Sequence, residues 1–144
     1  MKKIAVLFVC LGNICRSPAA EAIFIKLLKK KGLTDRIIVD SAGTGSWHIG
    51  KKADSGMRIA AERRDINILS RARQITSEDF AKFNYILAMD DSNFRNIQDL
   101  KNRTSSTDFS LIQKIQNFRS VFNEQEVPDP YFCLLYTSPS PRDS

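Results

Sequence analysis

The sequence lacks any long hydrophobic run. Every apolar stretch is shorter than the roughly 20 residues that a membrane-spanning helix needs. Met1–Lys3 leads directly into a strand-like segment that is too short for the hydrophobic region of a signal peptide. Because no targeting or anchoring segment is evident, we expect a cytoplasmic protein with no membrane partner.

Cysteine and histidine are scarce, with three cysteines and one histidine in 144 residues. Three cysteines without a secretion signal do not suggest a disulfide framework, and their spacing fits no zinc-binding pattern. The single histidine, His48, has no evident catalytic partner in the sequence. We therefore expect neither a metal nor another cofactor, and we interpret cysteine function as thiol chemistry.

Acidic residues are fewer than basic ones, which gives a net charge of +6. A nucleic-acid surface would explain this charge, but the basic residues are scattered and most aromatic residues lie in apolar runs. We therefore prefer a basic rim that attracts an anionic substrate, with no nucleic-acid partner. The apolar fraction of 42% in a chain of this length predicts one globular domain of ordinary core size.

One stretch near the N-terminus combines a strand, a tight loop and a helix start. Ile4–Val9 is a short apolar run rich in β-branched residues, which is typical of a buried strand, and it ends at Cys10. After Arg16, the pair Ser17–Pro18 has the pattern of an N-cap and a first helical residue, with Glu21 near the capping-box position. Cys10 and Arg16 are therefore predicted at the two ends of one strand-to-helix loop.

This loop has the properties of an anion site with a nucleophile. Its backbone N–H groups point into a concavity above a helix N-terminus, which suits a tetrahedral oxyanion. The same field favours Cys10 as a thiolate, and Arg16 adds a two-pronged donor for phosphoryl oxygens. A structural cysteine and a surface arginine are the alternative, because C-x5-R alone is a weak pattern. The agreement of strand, glycine and helix start favours catalysis.

The remaining pattern predicts an α/β fold. Further strands are predicted at Ile37–Val39, Tyr85–Met89 and Leu111–Phe118, and helices at Ser17–Lys31, Asp54–Arg64, from Thr76, and from Asp90 to Leu100. A strand, a helix and a parallel strand form a βαβ unit, whose site lies at the carboxyl ends of the strands. Ser41, after the second strand, is therefore expected near the Cys10 loop.

Three polar or aromatic features elsewhere have two interpretations each. Trp47 is either a lid on the core or a wall of a binding cleft. The pair Asp90–Asp91 suggests acid/base chemistry, but capping of the following helix explains it better. Val127–Phe132 is a loop whose two prolines fix the backbone around Asp129. It is either an ordinary proline-rich turn or a rigid support for an acid that protonates the leaving oxygen after attack by Cys10.

The segment Cys10–Phe24, CLGNICRSPAAEAIF, resembles the phosphate-binding loop and first helix of the low-molecular-weight protein tyrosine phosphatases. Further matches follow in the order of that family: Asp40–Thr44, Trp47, Arg71–Thr76, Met89–Asn93 and Val127–Phe132. Together they extend over residues 4–132, so the resemblance is specific.

The resemblance implies a three-layer α/β sandwich with a four-stranded, mainly parallel sheet. It also implies metal-independent hydrolysis of phosphotyrosine in partner proteins and of small aryl phosphates. Cys10 would form a phosphocysteine, Arg16 would hold the phosphoryl oxygens, and Asp129 would protonate the leaving group. No oligomeric state is predicted.

The resemblance further implies a set of substrate-binding residues. Asn13 and Ser41 would be joined by a hydrogen bond that holds the loop open, the Ser17 hydroxyl would donate to Cys10, and Trp47 would recognise a phenyl ring. The full predicted binding set is Leu11, Gly12, Asn13, Ile14, Cys15, Ser17, Trp47 and Tyr131, with Ser41 in support. The resemblance also implies that the region of Asp90 supports the site.

Three other functions are compatible with the same loop. Arsenate reduction requires a downstream cysteine pair, and only Cys133 follows. Phosphoarginine hydrolysis is found in relatives with threonine at the position of Ile14, so Ile14 favours aryl phosphate. A non-catalytic phosphate-binding module is disfavoured by the presence of Cys10, Arg16 and Asp129 together.

The periodic pattern ends at Cys133. CLLYTSPSPRDS matches the translation of a common transposase-type sequencing adapter, whereas members of the family continue with a C-terminal helix that packs on the sheet. We expect residues 1–132 to form the phosphatase domain and residues 133–144 to be a non-native tail in place of that helix. An uncovered sheet face would make the 144-residue chain poorly soluble.

Overall fold

A computed structural model describes residues 3–104 and 110–115. The described elements are, in chain order, β1 (Ile4–Cys10), α1 (Arg16–Lys31), β2 (Ile37–Gly43), α2 (Ser55–Glu62), α3 (Asp79–Lys82), β3 (Tyr85–Ala88), α4 (Asp91–Asn102) and β4 (Leu111–Lys114). Every predicted strand and helix within these residues is present. Asp129, Tyr131 and the predicted tail lie outside them.

The four described strands form one parallel sheet in the order β2-β1-β3-β4. Ile4 of β1 pairs with Ile37 of β2, and Val6 of β1 pairs with Tyr85 of β3. The strand that ends at Cys10 therefore has partners on both sides. The predicted four-stranded parallel sheet is confirmed.

Alternate residues of β1 are buried on opposite faces of the sheet. Leu7 belongs to a core cluster with Phe80 of α3 and Ile97 of α4, whereas Phe8 packs against Phe24 of α1 with the two rings edge to face, 5.8 Å apart. Burial of each such side chain stabilises the fold by about 1.5–3 kcal/mol. Helices thus cover both faces, which gives the predicted three layers.

The start of α1 differs from its prediction. Cys15, not Ser17, is the N-cap residue, and its side chain makes no capping hydrogen bond. Ser17 lies inside the first turn, fully buried, and Glu21 bonds to Ser41 rather than to the helix start. The capping-box prediction is wrong because both side chains are used in contacts with the loop and with β2. The C-terminal cap at Gly32, with φ of 69°, is of the usual left-handed type.

None of the helices described in residues 3–104 and 110–115 is long and apolar enough to cross a membrane. The helices that begin at Ser55 and Asp91 are each preceded by an aspartate that caps the first turn, as predicted for Asp90. The strand predicted at Leu111–Phe118 is described through Lys114.

Candidate active site

The loop after β1 is held by backbone hydrogen bonds from the segment after β2. The amide of Thr44 donates to the carbonyl oxygen of Cys10, and the amide of Gly45 donates to that of Leu11, each over 2.9 Å. Cys10 itself is buried. The nucleophile predicted from sequence therefore lies at the carboxyl ends of two neighbouring strands, as expected for an open α/β sheet.

Gly43 brings the end of β2 into close contact with this loop. A Cβ atom at Gly43 would lie 2.7 Å from the carbonyl oxygen of Leu11 and 3.1 Å from the amide nitrogen of Asn13. On the other side, the Gly43 amide donates to Arg73 and its carbonyl accepts from Ile75, each over 2.8 Å. Only glycine fits at this position without a shift of the loop backbone.

Asn13 is the residue on which the inner side of the loop converges. It is buried and adopts a left-handed conformation with φ of 56°, which asparagine tolerates better than most residues. Its Nδ2 donates to the hydroxyls of Ser17 and Ser41, each over 2.9 Å. Its Oδ1 accepts from the backbone amide of Arg73 over 2.9 Å. The predicted Asn13–Ser41 hydrogen bond is therefore present.

The sulfur of Cys10 has two hydrogen-bond partners in the described structure. The backbone amide of Asn13 donates to Sγ over 3.2 Å, and Oγ of Ser17 lies 2.9 Å from Sγ. Either atom can donate in a neutral pair, but when Cys10 is ionised its sulfur can only accept, so the proton of this contact then comes from the Ser17 hydroxyl. Both donors stabilise a negative charge on Cys10.

Glu21 is a buried carboxyl group that sequence analysis assigned only to capping. Ser41 accepts from Asn13 and donates its hydroxyl proton to Oε1 of Glu21 over 2.5 Å. Burial raises the pKa of Glu21, and the hydrogen bond from Ser41 offsets only part of this shift. A hydrogen-bond chain thus runs from Glu21 through the two serines and Asn13 to Cys10.

Arg16 extends from the first turn of α1 to the start of α4. Its Nη2 donates to Oδ2 of Asp90 over 2.7 Å, and both side chains are partly exposed. The other oxygen of Asp90 accepts from the amide of Asn93, also over 2.7 Å. Asp90 therefore both caps α4 and orients Arg16. Sequence analysis predicted the capping contact and, by resemblance, a supporting role for this region, but not the contact with Arg16.

The outer rim of the loop is formed by residues 45–50. Trp47 is 67% exposed, and a Cβ atom at Gly45 would collide with its ring, so the indole lies over Gly45 rather than as a lid on the core. His48, which sequence analysis set aside, packs against the loop: a Cβ atom at Gly12 would lie 2.9 Å from its Cδ2.

The structure brings together most of the predicted site residues that it describes. Cys10, Asn13, Ser17 and Ser41 form one buried network, while Trp47 lies at the surface. Leu11, Gly12 and Ile14 are half-buried on the loop, and Cys15 is buried at the start of α1. No group of three or more histidine, cysteine or acidic residues that could hold a metal ion occurs in the described part of the chain.

Sequence analysis missed the contacts that Glu21 and Arg73 make with the loop network. Glu21 had only a local helical signal, which pointed to a different contact. Arg73 lies within one of the segments that carried the family resemblance, Arg71–Thr76, and this was the only signal for it. For Asp90 the resemblance implied a supporting role, but no signal in the sequence identified Arg16 as its partner.

Comparisons with known proteins agree with this geometry. The sequence model of the family described as "Low molecular weight phosphotyrosine protein phosphatase" matches residues 5–136. The low molecular weight protein-tyrosine-phosphatase YfkJ of Bacillus subtilis is 44% identical over 90% of this chain and 81% of its own length. The human low molecular weight phosphotyrosine protein phosphatase is 43% identical over 89% of this chain and 80% of its own.

Solved structures give the same result. The crystal structure of YfkJ superposes with a TM-score of 0.77 at 39% identity, covering 94% of this chain and 89% of that one. The crystal structure of a Drosophila arginine phosphatase also superposes with a TM-score of 0.77, at 36% identity over 92% of this chain and 82% of that one. With its family model matched along most of its length, the chain belongs to the low-molecular-weight phosphotyrosine protein phosphatase family, a family of hydrolases.

Proposed function

We propose that this protein hydrolyses phosphotyrosine in partner proteins, and small aryl phosphates, through a phosphocysteine on Cys10. The observation that carries the proposal is the surroundings of the Cys10 sulfur. The Asn13 amide donates to this sulfur over 3.2 Å and the Ser17 hydroxyl lies 2.9 Å from it, so both donate when Cys10 is a thiolate. The loop then leads into a helix whose N-cap residue makes no side-chain capping hydrogen bond. Such a thiol is stabilised as the anion that attacks phosphorus.

The reaction then has two steps. In the first, the Cys10 sulfur forms a bond to phosphorus while the phosphorus–oxygen bond to the aryl group breaks, and Asp129 gives its proton to the leaving oxygen. In the second, Asp129 takes a proton from water as the water oxygen bonds to phosphorus and the sulfur–phosphorus bond breaks. Inorganic phosphate and the free thiolate result, and no cofactor enters either step.

The phosphoryl oxygens would be bound by the loop and by Arg16. The backbone amides from Leu11 to Cys15 and the N-terminus of α1 favour negative charge. Arg16 supplies a planar donor group, and Asp90 fixes it from the side of α4 at 2.7 Å. These donors act most strongly on the charge that develops in the transition state.

The aryl ring would be bound at the rim. Trp47 exposes two thirds of its surface next to the loop, and an exposed indole offers a face for stacking on a phenyl ring. By resemblance, Tyr131 would form a second aromatic wall. We expect the substrates to be cytoplasmic proteins that carry phosphotyrosine.

The test is turnover and binding by Cys10→Ser. We expect the variant to lose at least about 1,000-fold in kcat, because an alcohol without an added base is a poor nucleophile. Inorganic phosphate should still bind within about threefold of the unchanged protein, since the loop amides and Arg16 remain. Turnover of a phosphotyrosine peptide above a few per cent of the original rate would exclude Cys10 as the nucleophile.

Phosphoarginine is the second candidate substrate, because one of the structural neighbours is an arginine phosphatase. Ile14 lies on the loop beside Gly12, where a Cβ atom would be 3.6 Å from its Cγ1. We expect Ile14 to favour a flat aryl group, and the unchanged protein to hydrolyse a phosphotyrosine peptide faster than a phosphoarginine peptide. Ile14→Thr should shift this ratio towards phosphoarginine. If the unchanged protein prefers phosphoarginine, this second function replaces the first.

A further inference from the structure

Arg73 is joined to the nucleophile loop through its backbone. Its amide donates to Oδ1 of Asn13 over 2.9 Å, and its carbonyl accepts from the amide of Gly43 over 2.8 Å. The backbone of this one residue therefore connects the Asn13 side chain to the end of β2. Any movement of residue 73 changes the only described contact that fixes the oxygen of the Asn13 amide group.

The guanidinium of Arg73 is itself fixed by two aspartates. Nη1 and Nη2 donate to the two oxygens of Asp79 over 3.1 and 3.0 Å, and Nε donates to Asp40 over 3.1 Å. Asp79 is buried and also accepts from the amide of Thr76 over 2.8 Å. Burial alone would lower the pKa of Arg73, but the hydrogen bonds and charges of Asp79 and Asp40 outweigh it, and the pKa of Arg73 is raised. The arginine therefore remains charged and paired.

The orientation of the Asn13 side-chain amide influences the direction in which the hydroxyl protons of Ser17 and Ser41 point. With Oδ1 on the Arg73 amide, Nδ2 faces Ser17 and Ser41 and donates to both. Neither group facing Ser17 then competes for its hydroxyl proton, since Nδ2 only donates, and a Cys10 thiolate 2.9 Å away can accept it. If the Asn13 amide group rotated, Ser17 would lose this donor and could turn its proton away from the sulfur.

We infer that Arg73, anchored by Asp79 and Asp40, is a positioning residue that orients Asn13 and thereby directs the Ser17 hydroxyl proton onto Cys10. The inference deepens the proposed function and rests on it, because it concerns the nucleophile of that reaction. The ordinary alternative is an ion-pair cluster that only stabilises the fold, and the two differ in what happens to the reactivity of Cys10 in folded protein.

The experiment measures alkylation of Cys10 by iodoacetamide, a neutral reagent that does not depend on anion binding. The rate at about pH 6 is followed by fragment-resolved mass spectrometry of the tryptic peptide 4–16, which separates Cys10 from Cys15. The variants are Arg73→Lys, which cannot reproduce the two-oxygen contact with Asp79, Ser17→Ala, and the double variant. Arg71→Lys is the matched control, because Arg71 is exposed and its Nη1 donates to the carbonyl oxygen of Gly50 rather than to an aspartate.

We expect Arg73→Lys and Ser17→Ala each to slow alkylation roughly fivefold. Each variant weakens the hydrogen bond from Ser17 that stabilises negative charge on the sulfur, and alkylation proceeds through that negatively charged form. The double variant should be no slower than Ser17→Ala, since Arg73 acts through Ser17. Arg71→Lys should react at the original rate, and kcat should fall in parallel with alkylation in Arg73→Lys.

Two results would overturn the inference. One is an unchanged alkylation rate in folded Arg73→Lys together with reduced stability, which would leave Arg73 a purely structural residue. The other is full additivity in the double variant. If Arg73→Lys does not fold, Asp40→Ala replaces it, because it removes one of the three hydrogen bonds from Arg73 to the aspartates and predicts a smaller slowing of the same sign. Alkylation does not depend on which phosphate ester is hydrolysed, so a failed phosphotyrosine assay leaves this test intact.

Discussion

Helices α1 and α4 begin at the same edge of the sheet, and their N-terminal ends are joined by the 2.7 Å contact between Arg16 and Asp90. α4 is capped by Asp90 and has Asp91 in its first turn. α1 has no acidic residue in its first turn, and the side chain of its N-cap residue, Cys15, makes no capping hydrogen bond. Helix ends are usually satisfied by the chain itself. The N-terminal N–H groups of α4 thus have a stabilising partner within the chain. Those of α1 have no such acidic or capping side chain, which suits the binding of the proposed phosphate group.

The largest effect should come from Arg16→Lys, which changes the donor at the start of α1. An ammonium group cannot bind two phosphoryl oxygens as a guanidinium does, and loss of one well-placed donor costs about 100- to 1,000-fold in rate. We therefore expect kcat/KM for p-nitrophenyl phosphate to fall at least about 100-fold with an unchanged melting temperature. A loss below threefold would mean that α1 does not serve the anion.

The next effect should come from Gly43→Ala, which presses on the loop ahead of α1. The new methyl group would lie 2.7 Å from the Leu11 carbonyl oxygen, and the clash is with backbone, so the loop must shift. We expect a loss of about 1–3 kcal/mol in the free energy of unfolding and of about 10- to 100-fold in kcat. Urea unfolding and steady-state kinetics measure the two. Original activity in this variant would show that the loop tolerates displacement.

Asp90 allows the two functions of the start of α4 to be separated. Asp90→Asn keeps a good capping side chain but removes the charge beside Arg16, so we expect near-original stability and a loss of about three- to tenfold in kcat/KM. Asp90→Ala should in addition lower the free energy of unfolding by about 1 kcal/mol. Asp91→Asn is the control. Its ion pair with Lys114 lowers the pKa of Asp91, but the side chain is exposed, so we expect no measurable change in either quantity.

If Asp90→Asn and Asp91→Asn lose activity equally, the contact between Asp90 and Arg16 does not explain the loss of activity. If Asp90→Asn is as unstable as Asp90→Ala, charge rather than capping holds the start of α4. Each result is obtained from the same pair of urea unfolding and kinetic measurements.

The smallest effect concerns Glu21, one turn into α1, and appears as a pH dependence. Its pKa in the folded protein is raised by burial above the ordinary value of 4.5, so in the window just above that value the folded state binds more protons than the unfolded state. The free energy of unfolding therefore falls as the pH rises through this window. Glu21→Gln can still accept from Ser41 and does not ionise, so its stability should decline less.

The check is urea unfolding at several values between about pH 4 and pH 8, with Glu62→Gln as control because Glu62 is exposed at the end of α2. The advantage of Glu21→Gln over the original protein should grow with pH, and the control should show no such trend. An advantage that is constant with pH would show that Glu21 does not titrate across this window.

The sheet was predictable because buried parallel strands are continuous apolar runs. Ile4–Val9 and Tyr85–Met89 show this pattern, and each strand ends within one residue of its prediction. β2 was predicted only to Val39 but extends to Gly43. Its last four residues are polar or small, and they remain in the strand because they pair with β1 through Cys10 and Gly43. Local hydrophobicity contains no information about that pairing.

The site was predictable where its signal was local or carried by resemblance. Cys10, Asn13 and Arg16 lie within seven residues of one another in the loop. Arg73 reaches Asn13 across 60 positions of sequence, and Glu21 reaches Ser41 across 20. Contacts of this kind depend on how the helices cover the sheet, which residue patterns along a single segment do not specify.

The central place of β1 has a consequence for how the protein opens. β1 has a hydrogen-bonded neighbour on each side, whereas β2 and β4 are the outer members of the described sheet. Backbone amides of an inner strand generally exchange with solvent only when the whole domain unfolds, and those of outer strands exchange through local opening. Cys10 is the last residue of β1. The nucleophile therefore belongs to a strand whose amide protons are expected to exchange among the slowest in the protein. Fraying at the margins of the sheet would then leave the reactive sulfur in place until the domain unfolds as a unit.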